Sequence, residues 1–496
     1  MSLPAFDADK LLDLFVYNVK EPLLFNSGIF LFLFLAFMLF YGLLQQHVVA
    51  RIVYITAFSI YFYYKSSGWY FLLMMAAAVV AHIGAIYIYK TRSKEKRKFL
   101  LITSLVLYLG LLGYFKYTNF IIDIINNFST QKIPFQTIFL PLGISFYTFE
   151  LISYTVDVYK RKFKPVKHFL DFSFYISFFP HLVAGPIVRP HELVPQIRSK
   201  ILIDREHIGK GIFFILSGLL KKAIISDYIG VNFVDRIFDN PTLYSGVENL
   251  MGVYGYTLQI YCDFSGYSDM AVGIALLMGF HLRLNFNAPY QSTSITEFWR
   301  RWHISLSSWL RDYLYIPLGG NKAGKFRQYI NLMITMLLGG LWHGASVKFI
   351  VWGGMHGLAL ALDKARNEVL KKFGIQPQHN LVYKIGGWLF TFHLVAFCWI
   401  FFRAASFESA LAVINQVAFN FKPGLFPQLI NGYLAVFLLM ALGYFIHFIP
   451  AAAEDKIKKG IIVSPSFVQA LLLAFMIYMV YQTRSAEVQP FIYFQF

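Results

Sequence analysis

Long apolar stretches recur along almost the whole chain, and they constrain its fold more than any other feature. A helix needs roughly 20 mainly apolar residues to cross the hydrocarbon core of a bilayer. Because 57% of the residues are hydrophobic and only 14% are charged, most of the surface needs lipid as its solvent. The sequence therefore predicts an all-α, multi-pass integral membrane protein and excludes a water-soluble globule. The twelve candidate transmembrane helices are 27–45, 50–65, 69–89, 99–117, 137–158, 208–226, 246–277, 327–343, 346–363, 384–403, 432–450 and 462–481.

Basic residues are concentrated in short loops. Lys and Arg number 44 against 26 Asp and Glu, so the formal net charge is +18. Loops rich in Lys and Arg face the cytoplasm. If the chain starts outside and crosses at each stretch, every basic loop falls inside and both termini fall outside. This pattern indicates orientation in a membrane and argues against nucleic-acid binding. The basic loops are 90–98, 160–167, 189–210, 300–327, 364–372 and 456–459, and the outer loops are 1–26, 118–136, 227–245 and 404–431.

Twelve crossings agree with this orientation only if two further segments enter and leave the membrane on the same side. These are the apolar segment 169–188 and the segment 286–320, which is dense in aromatic residues and arginines. Irregular backbone at membrane depth is tolerated only where it is buried in protein or lines a water-filled cavity. We therefore expect two re-entrant segments around a central tunnel, within one polytopic domain of residues 27–496. Residues 1–26 lack the basic region of a signal peptide and are expected to form an extracytoplasmic, interfacial segment with an amphipathic helix.

Polar residues inside apolar helices are costly, so they mark candidate functional sites. The segment 339–346, GGLWHGAS, places His343 among three glycines in an otherwise apolar hairpin. Two interpretations are open on the residues alone. In one, the glycines let a substrate approach His343, whose reference pKa of about 6.5 suits general-base activation of a hydroxyl or thiol. In the other, the segment is a helix-packing site, and His343 is hydrogen-bonded to a backbone carbonyl.

A second polar cluster occupies 297–315, where arginines, carboxylates, serines and His303 alternate with Trp and Tyr. Its polar side chains follow one another too closely to point one way on a regular helix, so some must face a cavity. Arg300, Arg301 and Arg311 either clamp a phosphate or thioester head group or snorkel to cytoplasmic head groups. For the arginines, the second interpretation is at least as well supported.

Polar groups interrupt two other apolar segments. Gln259, Asp263 and Asp269 lie in the stretch 246–277, where a broken helix would line the same cavity. The segment 178–190 contains three prolines and a glycine, which forbid a straight helix. For both segments, a structural role is favoured over a catalytic one.

Several chemical motifs are missing from the sequence. There is no Walker A loop, no H-E-x-x-H helix, no G-x-S-x-G elbow and no Rossmann glycine fingerprint. Cys262 and Cys398 both lie in apolar runs, and His356 has no visible metal partner and is interpreted as structural. The sequence therefore predicts no metal site and no bound cofactor, and it argues against an ATP pump or a metalloprotease.

Five segments occur in a fixed order: PLGISFYTFELISYTVDVYK at 141–160, FFPHLVAGPIVRP at 178–190, QIYCDFSGYSDMAVGIALLMG at 259–279, FWRRWHISLSSWLRDYLYIPLGGNK at 298–322 and LLGGLWHGASVKFIVWGGMHG at 337–357. Together they resemble the membrane-bound O-acyltransferase superfamily, and especially its bacterial alginate O-acetyltransferase branch. The likeness extends from about residue 20 to the C-terminal PFIYFQF. It implies a multi-helix fold around a tunnel through the bacterial inner membrane, with the acyl donor entering from the cytoplasm.

The resemblance also implies roles for individual residues. His343 in WHG matches the family's near-invariant histidine, and His303 in WH-x-SLS matches a second conserved polar position. Both are therefore predicted to be catalytic, and the balance at His343 shifts towards function. The motif does not decide whether His343 acts as a general base or as a transient acyl carrier. The residues predicted to hold substrate or line the tunnel are Trp342, Arg300, Arg301, Ser305, Asp312, Asp263, Asp269 and Gln259.

The function that the resemblance implies is transfer of an acetyl group from a cytoplasmic donor, either acetyl-CoA or an acyl carrier. The acetyl group would pass through the membrane to an extracytoplasmic acetyltransferase partner that modifies an exported polysaccharide such as alginate. Relatives that transfer D-alanine to teichoic acid share WH-x-SLS and WHG, but the chain length and the segment DYLYIPLGGNK look more like the acetyl branch. O-acetylation of peptidoglycan, D-alanyl transfer and a non-enzymatic transporter of a lipid-linked sugar are the alternatives. A transporter predicts two halves with corresponding broken helices, whereas the predicted breaks all lie in the middle third.

Overall fold

The structure is a computed structural model that describes residues 13–19, 21–322, 324–374, 380–483 and 492. Over these residues the regular secondary structure is entirely helical, so the predicted all-α class is confirmed. The chain divides into two compact units. The first comprises Met1–Gly211 and Ala271–Leu282, and the second comprises Ile212–Met270 and Arg283–Phe496.

The first unit is built from apolar helices joined by short connections. Its helices of seven or more residues are α1 (Gly28–Leu44), α2 (Val48–Ser67), α3 (Phe71–Lys90), α4 (Lys94–Phe128), α5 (Ile144–Tyr159), α6 (Phe169–Ser177) and α7 (Pro190–Ile197). Ser27 and Ser93 cap α1 and α4, because each hydroxyl accepts a backbone N–H of the first turn. Gly68 has a φ of +60°, which favours glycine, and it starts the single turn between α2 and α3.

Aromatic rings form the core of the first unit around Phe179. The ring centroids of Phe25, Phe37, Phe58 and Phe62 lie between 5.0 and 6.4 Å from that of Phe179. Residues 23–25 are fully buried in this core. Within residues 1–26, Asp13 is helical and the described residues after it form turns and irregular chain that end in this core, so the interfacial amphipathic helix stays a prediction. Residues 1–12 lie outside the described residues.

The predicted re-entrant segment 169–188 is broken, as its prolines and glycine predict. After α6 only the single turn Phe179–Leu182 is helical before α7 begins. Glu150 holds the irregular part, since its Oε1 accepts the backbone N–H of Val188 at 3.1 Å and lies 3.0 Å from Nδ1 of His181. Buried irregular backbone needs partners of this kind. The return of the segment to its starting side of the membrane stays a prediction.

The second unit carries both polar clusters that the sequence singles out. The helices α8 (Arg205–Leu219) and α9 (Gly246–Leu277) have residues in both units. The remaining helices of seven or more residues are α10 (Ile295–Arg301), α11 (Ile304–Leu310), α12 (Lys325–His343), α13 (Val347–Lys372), α14 (Leu381–Arg403), α15 (Phe407–Phe419), α16 (Phe426–Gly432), α17 (Leu434–His447), α18 (Ala451–Val463) and α19 (Ser466–Thr483).

The hairpin of α12 and α13 is packed through glycines. A Cβ atom on Gly340 would lie 2.2 Å from the carbonyl oxygen of Phe349, and one on Gly353 would lie 2.3 Å from that of Met336. Only residues without a side chain allow two helix backbones to approach so closely. The hairpin is therefore fixed in register, and it places His343 at the C-terminal end of α12.

Four helical stretches of the described residues are long and apolar enough to cross a bilayer. A fifth is counted if Pro423–Gly432 and Leu434–His447, which meet at 96°, form one bent span. The finding supports a multi-pass membrane protein, while the number of twelve crossings stays a prediction. The four stretches are Val48–Lys90, Lys94–Phe128, Leu381–Arg403 and Ser466–Thr483.

Several predicted spans have wrong boundaries; for example, the span predicted at 99–117 lies inside α4, which continues to Phe128. The helix expected over 137–158 begins only at Ile144, because it follows Pro141 and a left-handed Gly143 with a φ of +74°. The helix expected over 208–226 continues through two π-helical turns to Asp239, so most of the expected outer loop 227–245 is helical.

Two other expectations are also wrong. The basic loop predicted at 364–372 is the last part of α13, since its lysines extend the helix and favour its C-terminal end. The break predicted at 262–269 is absent, because α9 is continuous over its 32 residues. Its carboxylates are neutralised by lysines from another helical segment, so the backbone does not need to open.

Candidate active site

His343 is enclosed by aromatic rings of the second unit. Its side chain is 4% exposed, and its ring centroid lies 4.9 Å from Trp342, 5.0 Å from Trp352 and 5.3 Å from Phe402. The planes of these rings are steeply inclined to the imidazole plane, so the contacts are edge-to-face and not stacked. The imidazole is therefore held in one orientation by packing.

The glycines beside His343 do not leave open space around it. The ring of Phe349 fills the position at Gly344, where a Cβ atom would lie 2.0 Å from Cε2. Gly340 meets the backbone of the same residue. The expectation that these glycines let a substrate approach the imidazole is wrong for both positions, which serve packing instead. Gly339 differs, because only Leu310 lies near it, 3.3 Å from an added Cβ.

His303 is held at the junction of α10 and α11 by Asn285. The φ of His303 is +43°, so the backbone turns sharply there, as the alternation of polar residues predicts. Oδ1 of Asn285 lies 3.2 Å from Nδ1 of His303 and accepts both the N–H and the hydroxyl of Ser305, at 3.1 and 2.9 Å. Because an amide oxygen only accepts hydrogen bonds, Nδ1 of His303 carries a proton. In the neutral ring, Nε2 is then the basic nitrogen.

Trp342 lies between the two predicted catalytic histidines. Its ring centroid is 6.3 Å from that of His303 and 4.9 Å from that of His343. The two imidazoles, which are 40 residues apart in sequence, therefore belong to one buried cluster. Trp342 and Ser305, both predicted site residues, contact this cluster directly.

A cavity of about 390 Å³ opens beside this cluster. Three cations line it, namely Arg300, Arg311 and Lys364, together with apolar side chains that include Ile304 and Met336. Ile304 follows His303 in sequence, and Met336 lies seven residues, or about 10 Å along the helix, before His343. The cavity therefore combines cationic and apolar side chains on the segments that carry the two histidines, although neither histidine lines it.

The three predicted arginines differ in what they contact. Arg301 does not line the cavity: its Nη2 lies 2.8 Å from Oε1 of Glu297, and its Nη1 donates to the carbonyl of Asn287 at 3.3 Å. Arg311 lines the cavity, but its guanidinium donates two hydrogen bonds to the carboxylate of Asp312. The Nε–Oδ1 and Nη2–Oδ2 distances are 2.7 and 3.2 Å. Arg300 is exposed and lines the cavity. The structure therefore supports Arg300 most strongly as a contact for an anionic ligand.

Glu297 keeps the charge of Arg301 locally neutralised. Its carboxylate also accepts the backbone N–H and the hydroxyl of Thr293, both at 2.9 Å, so Glu297 is held in place beside Arg301. The ion pair therefore stabilises the short helix α10, and we do not expect it to bind a ligand.

Asp263 and Asp269 form ion pairs with two lysines that sequence reasoning missed. Nζ of Lys222 lies 2.6 Å from Asp263, and Nζ of Lys221 lies 2.7 Å from Asp269. Charged residues within the predicted span 208–226 are the signal that would have revealed them. Gln259 lies on the same helix, half-buried. The assignment of these three α9 residues to a tunnel wall stays a prediction.

Two other residues of the site, Asn285 and Phe402, carry no local signal in the sequence. Asn285 lies 18 residues before His303 and Phe402 comes from α14, whereas Lys364 belongs to the predicted basic segment 364–372. His356, which the sequence analysis interprets as structural, is fully buried and accepts the indole N–H of Trp299 at 3.3 Å. Among the residues that the structure describes, no group of three or more His, Cys, Asp or Glu side chains could hold a metal ion.

Comparison with known proteins gives consistent matches. Residues 136–407 match the membrane-bound O-acyltransferase family. The chain is 37% identical to the peptidoglycan O-acetyltransferase of Helicobacter pylori, over 79% of each chain. It is 36% identical to the probable alginate O-acetylase AlgI of Pseudomonas putida, over 96% of this chain and 100% of that relative. It is 31% identical to the teichoic acid D-alanyltransferase of Bacillus subtilis, over 54% of this chain and 69% of that relative.

Proposed function

Because the chain belongs to the membrane-bound O-acyltransferase family and is an O-acyltransferase, we propose that it carries an acetyl group from cytoplasmic acetyl-CoA across the bacterial inner membrane for O-acetylation of an exported polysaccharide. The observation that carries this proposal is the cation-lined cavity beside His303 and His343. A thioester donor with phosphate groups needs both cations for its head and an apolar path for its acyl end. Both line the cavity, whose residue Met336 lies about two helical turns before His343.

The donor end of the site lies at Arg300, Arg311 and Lys364. Charge-assisted hydrogen bonds to phosphate are among the stronger polar contacts in proteins. Arg300 is the group best placed to supply one, since Asp312 already occupies the fork of Arg311. The basic residues of 300–327, a segment that is mostly helical and contains these two arginines, support a cytoplasmic location for this end.

The reacting end lies at His343 and His303. In the proposed step, His343 takes the proton of the acceptor hydroxyl, and the oxygen attacks the thioester carbonyl. The C–O bond of the ester forms, the C–S bond breaks, and the proton passes to the departing thiolate to give the free thiol. His303 positions the reacting groups from the opposite side of Trp342. Its orientation is fixed by Asn285.

The acceptor is assigned by class. The relative that the chain matches over nearly its whole length is named a probable alginate O-acetylase, which supports an exported polysaccharide as the acceptor. In this proposal an extracytoplasmic partner protein completes the modification. The Helicobacter relative supports peptidoglycan as the second candidate. D-alanyl transfer has weaker support, because that relative matches at lower identity and over only 54% of the chain.

Inverted membrane vesicles test the proposal, because their cytoplasmic face points outward. Vesicles from cells that express the protein are supplied with acetyl-CoA labelled in the acetyl group. We expect alkali-labile label to accumulate on a lumenal acceptor, with one free CoA thiol released per acetyl group. A transporter of a lipid-linked sugar would leave the thioester intact, and that result would contradict the proposal.

A further inference from the structure

Two basic segments of the first unit lie together at the ends of three helices. Residues 90–98 run from the end of α3 into the start of α4, and residues 160–167 follow α5. The two segments contain eleven Lys and Arg and a single Glu, so they carry +10 of the chain's net charge of +18. We call these seventeen residues the basic patch.

Two arginines join the segments of the basic patch. Arg97 of α4 donates from Nη2 to the carbonyl oxygen of Tyr159 at the end of α5, and its Cζ lies 5.0 Å from the centroid of that ring. Arg161 reaches the third helix, since its Cζ lies 4.3 Å from the ring centroid of Tyr89 on α3. Cation–π contacts of this kind are favourable. The two segments are therefore held beside each other, which brings their other cations together.

The charge of the basic patch is not neutralised within the protein. Every Lys and Arg of the patch is exposed except Arg97, which is half-buried, and none forms an ion pair with a described residue. In other basic segments, cations are paired with carboxylates, as Arg366 is with Asp363 and Lys458 with Asp455. Membrane orientation requires only that positive charge lies on the inner side. It does not require unpaired charge to be concentrated in one place, so the concentration points to an anionic partner.

Four cations of the patch lie where they destabilise a helix. The N-terminus of a helix carries a partial positive charge, so cations are unfavourable there. Nevertheless, α4 begins with the residues KEKRK at 94–98, directly after its cap Ser93. Local features that cost stability are expected at functional sites. An anion beside this turn would offset both the partial charge of the helix and the charges of the side chains.

Residues exposed to lipid lie directly beside the basic patch. The apolar stretch Val48–Lys90 ends at the patch and Lys94–Phe128 begins there, and each is long enough to cross a bilayer. Tyr87 and Phe99 flank the segment 90–98 and are 61% and 69% exposed. Exposed aromatic side chains at the end of a span are typical of the boundary between hydrocarbon and head groups. The cations therefore lie at the depth of lipid phosphates, which favours a lipid over a soluble acidic protein.

We propose that the basic patch binds the phosphate group of an anionic phospholipid. Its acyl chains lie against the apolar surface of α3 and α4, where Ile83 and Ile102 are exposed. Clusters of Lys and Arg immediately next to a membrane-spanning helix are typical of proteins that bind anionic lipids. The inference goes beyond the proposed function and does not depend on it, because no residue of the patch belongs to the candidate active site.

A fluorescent label beside the patch measures which lipid is bound there. Cys262 and Cys398 are buried, so a cysteine introduced by Phe99→Cys can be labelled selectively. The labelled protein is placed in phosphatidylcholine vesicles that contain a small fraction of nitroxide-labelled phosphatidylglycerol or nitroxide-labelled phosphatidylcholine. We expect phosphatidylglycerol to be preferred about fivefold or more as a quencher, the effect of one Lys or Arg near anionic head groups. A label at Leu471→Cys, on the exposed surface of α19, should show no such preference.

Salt separates a lipid site from a site for free phosphate. The preference should largely disappear in about 1 M sodium chloride, where charges are screened within about 3 Å. Inorganic phosphate should weaken the preference no more than sodium chloride of equal ionic strength, because a free ion gains nothing from the apolar surface. Stronger competition by phosphate would assign the patch to a soluble anion and overturn the proposal.

Charge variants identify the patch as the site. Glutamine replaces four exposed lysines of the patch, which leaves Arg97 and Arg161 in place, and we expect the preference to fall to about one. Arginine at the same four positions should retain it, because the charge is kept. The matched control replaces four exposed lysines elsewhere, so the net charge changes equally, and it should behave as wild type. The patch lysines are Lys94, Lys96, Lys160 and Lys162, and the control lysines are Lys371, Lys372, Lys456 and Lys459.

Three results would contradict the lipid site. They are equal quenching by the two lipids in wild type, a preference that survives in the four-glutamine variant, and an equal loss of preference in the control variant. If wild type does not distinguish the lipids but binds an acidic carrier protein through the patch lysines, the patch serves a soluble partner and the proposal is overturned. Should the four-glutamine variant fail to insert, Lys160→Gln/Lys162→Gln takes its place, and an unchanged preference in it contradicts the proposal.

Discussion

Arg300 and Arg301 are adjacent in sequence but contact different groups. Arg300 lines the cavity, whereas Arg301 is paired with Glu297. We expect Arg300→Gln to raise the KM for acetyl-CoA about tenfold, the value of one charge-assisted hydrogen bond. Arg301→Gln should leave the KM unchanged and lower the thermal unfolding midpoint, because it leaves Glu297 without its partner. Initial rates in inverted vesicles and unfolding in detergent measure the two effects.

Lysine variants test how the arginines bind. A lysine keeps the charge but lacks the planar fork, so a bidentate contact is lost while simple attraction remains. We expect Arg300→Lys to be impaired and Arg301→Lys to retain acetylation. Full acetylation by the lysine variants at 300, 301 and 311 would show that none of these arginines recognises the donor by its fork.

His356 provides a test of a buried but non-catalytic histidine. It accepts a hydrogen bond from Trp299 and packs against Trp352, so its loss leaves a cavity and an unpaired indole N–H. We expect His356→Ala to be destabilised by roughly 2–4 kcal/mol and to keep its activity per folded molecule. Yield, unfolding midpoint and rate are measured on the same preparation. A variant with wild-type stability and no transfer would place His356 in the chemistry instead.

At the scale of helices, the hairpin of α12 and α13 depends on its glycines. We expect Gly353→Ala to lower the stability by about 1–3 kcal/mol or to prevent folding, because its Cβ would lie 2.3 Å from a backbone oxygen of α12. Gly354→Ala, one residue further along, should be tolerated. The unfolding midpoints of both variants in detergent measure the difference. Equal stability of the two would show that the helices can move apart at no cost.

The sequence predicts helices well where apolar length is the main signal. The stretch 246–277 coincides with α9, and 327–343 falls within α12 and ends with it at His343. It fails where partners from distant segments decide the structure. The sequence predicts a helix break at Asp263 and Asp269, because the lysines that pair with them lie more than 40 residues earlier in the chain. The predicted start of α5 is too early, because apolar residues precede Pro141 and the left-handed Gly143.

The same limit applies to the candidate site. Both histidines and Trp342 can be nominated from the sequence, because polar residues within membrane segments are costly, and their catalytic role stays a prediction. The partners that orient them, Asn285 and Phe402, come from elsewhere in the chain and have no such signal. The glycines around His343 pack against Phe349 at 340 and 344 and against Leu310 at 339, and only the three-dimensional contacts show this.

For the whole molecule, the charge pattern predicts an orientation that can be measured. Twelve crossings with the basic loops inside put Lys94 in the cytoplasm and Phe496 outside. Reporter fusions at the two positions check this, and the C-terminal position lies outside the described residues. A cytoplasmic signal at Phe496 would contradict the predicted topology and the two re-entrant segments that complete it.

The central claim is that His343 takes the proton of the acceptor hydroxyl during acetyl transfer, at the inner end of a donor path that starts on the cytoplasmic side. The decisive measurement is acetyl transfer by His343→Gln in inverted membrane vesicles, with labelled acetyl-CoA outside and alkali-labile label counted in the lumen. Glutamine keeps much of the packing among the surrounding rings, whereas alanine would leave a cavity, so the variant isolates the chemistry. We predict folded protein with normal CoA affinity and transfer reduced by about 10² to 10⁴. Wild-type transfer by a folded His343→Gln protein would contradict the claim.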